Sequence, residues 1–221
     1  MKKAAVGFRV HSGWTALVAV ALEKGQPIVL SRQRLQLVEI FSYKFRQPFH
    51  TGEKLPFAEA GRFIAKVRAE AERLADRALH TLQQELQQRG YQLDRAGLLL
   101  ASGRELPELE KILKSHALIH TADGELFREA LAHASVARGI QVVQTKERDL
   151  LELCAKTFSL DPEKLLRQVT DLGKPFGAPW SQDEKFATLA AWLALDSPKE
   201  QAAKPQAGKR SSAHATLVAK R

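Results

Sequence analysis

The stretch VGFRVHSGWTALVAVAL, residues 6–22, decides the fold. It contains two apolar runs joined by Ser12 and Gly13, residue types that are typical of a tight turn. In the first run apolar side chains occupy every second position, which is the period of a β-strand. Arg9 and His11 fall together on one face of that strand. We therefore predict an antiparallel hairpin that carries two basic side chains on one of its faces.

The next segments extend this hairpin and then change to helix. A third strand is predicted from Pro27 to about Ile40, with a bulge near Ser31 to Arg34, where the apolar phase shifts. From about Phe57 to Arg89 apolar residues recur three and four positions apart, which predicts one amphipathic helix roughly 50 Å long. Short connections between the strands predict a three-stranded antiparallel meander before this helix.

The second half of the chain alternates strand and helix. Strands are predicted at residues 96–102, 117–121 and 140–145. Helices are predicted at residues 106–115, 123–139, 147–158, 161–173 and 181–195. The last helix begins with Ser181 and Glu184 at the spacing of a capping box. Because each later connection contains a helix, we expect these strands to pair in parallel, in an α/β fold with a mixed sheet flanked by helices.

This order of elements resembles the ribonuclease-H-like fold. Residues 140–195, which close on PFGAPWSQDEKFATLAAWL, are similar to the C-terminal part of bacterial Holliday-junction resolvases of the RuvC-like kind. In that family a proline-containing loop leads into a helix that carries metal-binding aspartates, and VGFRVHSGWTALVAV takes the place of the first strand. Residues 26–130 resemble the central domain of the eukaryotic and archaeal peptide-release-factor family, which has a related fold.

The resolvase resemblance implies a carboxylate cluster that holds Mg²⁺, with an aspartate on the first strand. Arg9 and His11 stand in that place, and a guanidinium there would repel the metal ions. Glu105, Asp183 and Glu184 remain as the ligands of a divergent magnesium-dependent nuclease, the one case in which a cofactor is expected. Helix capping accounts for the two acids at 183 and 184 without a metal.

The release-factor resemblance implies a Gly-Gly-Gln tripeptide before the long helix. Residues 41–57 read FSYKFRQPFHTGEKLPF there and contain no such tripeptide. The chain also reads Ala101-Ser102-Gly103 where that family usually has Gly-Pro-Gly. Hydrolysis of peptidyl-tRNA by that route is therefore not expected.

Residues 41–57, called here the aromatic–basic segment, interleave aromatic and basic side chains. Aromatic rings that stack on bases and cations that neutralise phosphates form contact surfaces for RNA or single-stranded DNA. The alternative is that residues 41, 43 and 45 prolong the third strand and bury their rings. On the first interpretation the predicted nucleic-acid-binding residues are Arg9, His11, Tyr43, Lys44, Arg46, Phe49 and Lys54.

The distribution of charge separates a body from a tail. The net charge is +9, and residues 197–221 contain six basic residues but one acid, Glu200. That segment is rich in Ala, Ser, Lys and Gln and lacks apolar periodicity, so we predict a single ribonuclease-H-like domain over 1–196 and a basic disordered tail over 197–221. Such a tail either binds phosphates non-specifically or keeps the protein in solution.

Cysteine and histidine usage limits other chemistries. A single cysteine, Cys154, excludes an internal disulfide framework and fits a reducing cytosol, and we find no signal peptide or membrane-spanning run. His116 and His120 have the spacing of zinc ligands on a helix. Because residues 116–120 are predicted to be a junction between helix and strand, with no cysteine or carboxylate set beside them, no metal site is expected.

These observations predict a non-catalytic, cytoplasmic ribonuclease-H-like protein, a pseudoenzyme that binds nucleic acid or a ribonucleoprotein partner. Two alternatives stay open. One is the divergent magnesium-dependent nuclease, and the other is an interaction scaffold whose long helix docks a protein partner or a second copy of the chain. No cofactor is expected outside the nuclease alternative.

Overall fold

The computed structural model describes residues 1–103 and 105–197 as one mixed sheet with helices on both faces. The sheet order is β3-β2-β1-β4-β5. The strands are β1 (Lys2–His11), β2 (Trp14–Glu23), β3 (Gln26–Gln36), β4 (Tyr91–Leu100) and β5 (Gln141–Lys146). β1 to β3 pair antiparallel, whereas β4 pairs parallel with both β1 and β5. The predicted α/β class, with a meander followed by parallel strands, is confirmed.

The helices follow the chain in an order close to the predicted one. They are α1 (Tyr43–Arg46), α2 (Pro48–Gly52), α3 (Phe57–Gln88), α4 (Leu109–Leu113), α5 (His116–Ala137), α6 (Leu150–Phe158), α7 (Pro162–Leu172) and α8 (Gln182–Asp196). The long helix is confirmed to within one residue at its C-terminal end. The capping box at Ser181 and Glu184 is also confirmed. The predicted tail lies outside the described residues apart from Ser197.

The strand register follows from the alternating pattern and from one bulge. Gly13 adopts a φ of +83°, which lets the β1–β2 turn close with minimal strain. Ala19 pairs with Ser31 and Val20 pairs with Val29, so the extra residue of β3 is Leu30, one position before the predicted bulge. β3 ends at residue 36 rather than at about 40, because residues 37–40 bend away from the strand before the aromatic–basic segment begins.

Two hydrophobic layers cover the sheet. α3 and α5 bury their apolar stripes on one face, where Phe8, Leu82 and Phe127 are among the fully buried side chains. α6, α7 and α8 cover the other face, where Val18 and Leu189 are buried. Each strand of the hairpin therefore contributes alternate residues to two different layers, as its period of two requires.

α8 lies directly against β1 and β4 because both strands have a glycine beneath it. A Cβ added to Gly7 would lie 1.8 Å from the carbonyl oxygen of Ala187, and one added to Gly97 would lie 2.1 Å from that of Ala190. With α8 held this close, Asp183, one turn before Ala187, lies over Arg9, two residues after Gly7. The glycines thus set the position of the first turn of α8 at the end of the sheet.

Residues 117–121, predicted as a strand, are part of α5. Ile119, Ala122 and Leu126 are buried at spacings of three and four, which is the helical period. A five-residue apolar run does not distinguish a strand from a helix, and that is why the prediction was wrong. The strand that the release-factor resemblance implies at this point is therefore absent, and His116 and His120 share one helix.

No helix in residues 1–103 and 105–197 combines the length and apolar composition needed to cross a membrane.

Candidate functional site

Arg9 is the centre of an ion-pair cluster at the end of the sheet. Its Nε and Nη2 donate hydrogen bonds to Oε2 and Oε1 of Glu147, at 3.1 and 2.7 Å, and its Nη1 donates to Oδ1 of Asp183. The fork on Glu147 is bidentate, the strongest geometry for this pair. The Arg9 side chain is 16 % exposed, and its guanidinium carbon lies 5.3 Å from the centre of the Phe186 ring.

Three separate elements bring this cluster together. Arg9 lies near the end of β1, Glu147 begins the turn after β5, and Asp183 lies in the first turn of α8. The ends of parallel strands meet at one edge of the sheet, which is why a residue of β1 and one that follows β5 are neighbours. The hydrogen bonds that Arg9 donates to Glu147 raise the pKa of Arg9, against the lowering effect of burial, so the guanidinium stays charged.

His11 extends the cluster toward solvent. Its Nε2 lies 2.8 Å from Oδ1 of Asp183, the oxygen that also accepts from Arg9. One face of the imidazole stacks on the Trp14 ring, with ring centres 4.3 Å apart and planes 9° from parallel. His11 therefore joins the ion pairs to a row of aromatic and basic groups on the protein surface.

That row, called here the cation–aromatic stack, runs from β1 to α1 and consists of three rings and two guanidinium groups. Its members are His11, Trp14, Arg34, Phe41 and Arg46. The Arg34 guanidinium carbon lies 3.9 Å from the centre of the Trp14 ring and 5.9 Å from the centre of the Phe41 ring. The Arg46 guanidinium carbon lies 4.5 Å from the centre of the Phe41 ring. Arg46 Nε also donates to the Ser12 carbonyl oxygen at 3.1 Å.

Of the other four predicted binding residues, three are exposed and one is buried. Tyr43 is 56 % exposed, and Lys44 and Lys54 are exposed. Phe49 is 4 % exposed and lies in the core, so its ring is not available to stack on a base. The interpretation of residues 41, 43 and 45 as a strand extension is wrong, since residues 43–46 form the short helix α1.

The acids proposed as magnesium ligands are not arranged as a ligand set. Glu184 accepts from the backbone N–H and hydroxyl of Ser181, at 2.7 and 2.6 Å, in the capping box. Asp183 is bonded to Arg9 and His11, whereas Glu105 is exposed. In the described ranges these three acids do not form a close group of ligand atoms. A guanidinium between carboxylates does not fit a magnesium centre, because it supplies the positive charge that the metal would supply.

Sequence reasoning missed Glu147, Trp14 and Arg34. Glu147 lies 138 positions from its partner Arg9, and its sole sequence signal was its place directly after a predicted strand. Trp14 pairs with Gln36 across β2 and β3, which places Arg34 close to its ring. That proximity was recoverable only with the register of the third strand.

Comparison with known proteins identifies the fold. No family model and no curated protein sequence matches the chain. The solved structure of RuvC from T. thermophilus in complex with a Holliday-junction substrate has 12 % sequence identity and a TM-score of 0.52, over 88 % of this chain and 93 % of that one. A second structure of Thermus thermophilus RuvC has 12 % identity and a TM-score of 0.49, over 87 % and 93 %. The chain thus has the ribonuclease-H-like fold seen in RuvC, as predicted from the order of its elements.

Proposed function

We propose that this protein binds nucleic acid without cleaving it, through the cation–aromatic stack and the exposed part of the aromatic–basic segment. The observation that carries the proposal is the stack itself. Three aromatic rings and two guanidinium groups lie in a row from His11 to Arg46 beside the Arg9 cluster. Single-stranded nucleic acid is the ligand class that such a surface fits best.

The chemistry of the stack supports this ligand. An arginine whose flat face lies on an aromatic ring keeps N–H groups at its edge, and these can donate to phosphate oxygens. Arg34 is exposed in this arrangement, with Phe41 and Tyr43 exposed nearby in the chain. Because the rings already hold the cations in place, less side-chain entropy is lost on binding than for free lysines or arginines.

The absence of cleavage is the second part of the proposal, and it rests on Arg9. Two-metal phosphodiester cleavage needs carboxylates that are free to coordinate cations. Here Glu147 and Asp183 are bonded to one guanidinium, and Asp183 is bonded to His11 as well. The Arg9 guanidinium thereby takes the place that metal ions would have between these carboxylates. Mg²⁺ enters only under the nuclease alternative.

That alternative is supported by the similarity in fold to RuvC in complex with a Holliday-junction substrate. It is tested by incubating a labelled four-way DNA junction with the protein and Mg²⁺ or Mn²⁺. We expect binding or no interaction, with the junction intact. If the protein cuts the junction and Asp183→Asn abolishes the cutting, the protein is a divergent nuclease and this proposal is wrong.

The scaffold alternative uses α3 as a docking helix for a partner or a second copy. The apolar stripe of α3 is buried in the core of the protein. Among the described residues of this helix, the exposed large apolar side chain is that of its first residue, Phe57. No feature of the helix therefore favours docking over the nucleic-acid proposal. Light scattering of the full chain tests self-association.

Binding itself is tested by fluorescence anisotropy with labelled single-stranded DNA, single-stranded RNA and a four-way junction over a range of salt concentrations. We expect affinity to fall as the salt concentration rises. The slope of the logarithm of the binding constant against the logarithm of the salt concentration should decrease in magnitude by about 0.7 for each phosphate contact with a single strand that a variant loses. Arg34→Glu should weaken binding and reduce this slope. Tyr43→Ala should cost about 1 kcal/mol if the ring stacks on a base.

Arg167→Glu is the matched control, because Arg167 is an exposed arginine on α7 that pairs within its own helix with Glu163. The variants carry the same tail, so a difference between them reports the stack and not non-specific binding by residues 197–221. Equal losses in Arg34→Glu and Arg167→Glu, or no binding even at low salt, would overturn the proposal.

A further inference from the structure

Three histidines from two helices, α2 and α5, lie close together. They are His50 of α2 and His116 and His120 of α5, called here the histidine cluster. One ligand nitrogen of each lies within 4.8 Å of the others. The ring centre of His50 lies 4.4 Å from that of His120 and 5.4 Å from that of His116.

His50 is the anchored member of the cluster. It is buried, and its Nδ1 is hydrogen-bonded to Oδ2 of Asp123. The other oxygen of that carboxylate accepts from the Phe49 backbone N–H at 2.8 Å. With Nδ1 committed to a carboxylate, Nε2 is the atom that His50 can offer to a metal. A carboxylate behind a ligand histidine is the usual second partner in zinc sites, where it fixes the orientation of the ring.

The two exposed histidines are spaced as ligands. His116 and His120 lie one turn apart on α5, and their Nε2 atoms are 3.1 Å apart. Two nitrogens on a tetrahedral zinc ion, each about 2.0–2.1 Å from the metal, are about 3.3 Å from one another. Between two neutral imidazoles, a contact this short requires one Nε2 to donate a hydrogen to the other. A metal ion would instead accept the lone pairs of both Nε2 atoms.

We propose that His50, His116 and His120 bind one divalent transition-metal ion of the zinc class, with Asp123 as a positioning residue and the fourth coordination position open to water. Three imidazoles favour zinc over magnesium or calcium, which prefer oxygen ligands. This proposal departs from the expectation of no metal site. That expectation rested on a junction at residues 116–120, and the structure has a helix there.

The metal would clamp the aromatic–basic segment to α5. His50 lies within that segment, four residues after α1 ends and in the helix that follows. The site does not depend on the proposed function, because its residues are separate from the Arg9 cluster and from the cation–aromatic stack. Metal binding and nucleic-acid binding can therefore fail independently.

The test is metal binding by the full chain, prepared without a polyhistidine tag. Isothermal titration with Zn²⁺ should give one site per chain and a higher unfolding temperature, and Mg²⁺ should give neither. His116→Ala and His120→Ala should each weaken zinc binding by about tenfold or more. Co²⁺ in place of Zn²⁺ should give visible ligand-field absorption that these two variants lose.

His133→Ala is the matched control, because His133 is an exposed histidine on α5 that faces Glu72 instead of the cluster. His214→Ala controls for the histidine in the predicted tail. Both should bind zinc like the unmodified chain. Asp123→Asn should weaken binding about 10- to 100-fold while keeping the shape of the cobalt spectrum, since the ligands are unchanged.

Two results would overturn the proposal. The first is no zinc binding at micromolar concentrations. The second is binding that survives the double change His116→Ala and His120→Ala. Both histidines are exposed, so these variants should fold, and circular dichroism of each variant checks this.

Discussion

At the scale of single residues, Arg9 holds together the ion-pair cluster at the end of the sheet. It lies where the resolvase resemblance implies a metal-binding aspartate, and it donates three hydrogen bonds to Glu147 and Asp183. A part-buried carboxylate needs a positive partner, which is either a bound metal or a basic side chain. Arg9 is that partner here, and it supplies one positive charge to both carboxylates.

We predict that Arg9→Ala lowers the free energy of unfolding by about 2 kcal/mol, because it leaves two part-buried carboxylates without their counter-ion. Urea denaturation measures the change. Arg167→Ala is the control, since Arg167 forms an exposed pair with Glu163 on α7, and it should cost less than about 0.5 kcal/mol. Equal costs for the two variants would contradict a structural role for the Arg9 cluster.

Cys154 illustrates the opposite case, a reactive residue type made inert by its surroundings. It is fully buried, and burial raises the pKa of its thiol to about 12. Since the thiolate is the nucleophile and a raised pKa lowers its fraction, the thiol is unreactive near pH 8. We predict that iodoacetamide labels Cys154 in urea but not in the native protein, as mass spectrometry would show. Rapid native labelling would mean that the α6–α8 layer opens easily.

At the scale of elements, the contact of α8 with the sheet controls the site. The helix backbone touches β1 and β4 where Gly7 and Gly97 lack a side chain, and this contact places Asp183 over Arg9. The alanines of α8 that face the sheet are buried, which is consistent with so short a separation. A larger residue at either glycine would move the helix and its acid together.

We predict that Gly7→Ala lowers stability by about 3 kcal/mol, since the added methyl would overlap the Ala187 carbonyl oxygen. Gly61→Ala, within α3, is the control. Its new Cβ would lie 3.7 Å from Leu109, an ordinary contact, and the change should stabilise the helix by about 0.5–1 kcal/mol. Thermal and urea unfolding of both variants decide this. A mild effect of Gly7→Ala would mean that α8 is not held as closely as described.

At the scale of the whole molecule, the aromatic–basic segment links two surfaces. Its first part contributes Phe41 and Arg46 to the cation–aromatic stack, and its later part contributes His50 to the histidine cluster. α1 and α2 are short helices of four and five residues, too short to be stable alone. Their position therefore depends on what they contact, and a metal bound at His50 would add to those contacts.

We predict that saturating Zn²⁺ strengthens nucleic-acid binding by the unmodified chain, because it holds the segment in the position that completes the stack. By linkage, nucleic acid should strengthen zinc binding by the same factor. Anisotropy titrations with and without Zn²⁺ measure the effect. His116→Ala should lose it while keeping its zinc-free affinity for nucleic acid. An equal effect of Zn²⁺ on both proteins would show that the metal acts elsewhere.

Local patterns in the sequence by themselves determined most of the elements of this protein. The period of two in the hairpin, the helical spacing from Phe57 onward and the capping box at Ser181 each arise from contacts between residues close in the chain. The expectation of a carboxylate in the place of Arg9 came from the resolvase resemblance and not from a local pattern. The short run at 117–121 was assigned wrongly because five residues fit either period.

Only the tertiary structure decided which of these residues meet. Arg9 and Glu147 are 138 positions apart, and His50 and Asp123 are 73 apart, so no local pattern relates either pair. Their proximity depends on the order of strands in the sheet and on how closely α5 and α8 pack against other elements. In the folded chain Arg9 of the first strand joins an ion-pair cluster with Glu147 and Asp183, and His116 and His120 of one helix join His50 in a three-histidine cluster. Side-chain contacts between distant elements depend on packing, and packing is determined by many segments of the chain together.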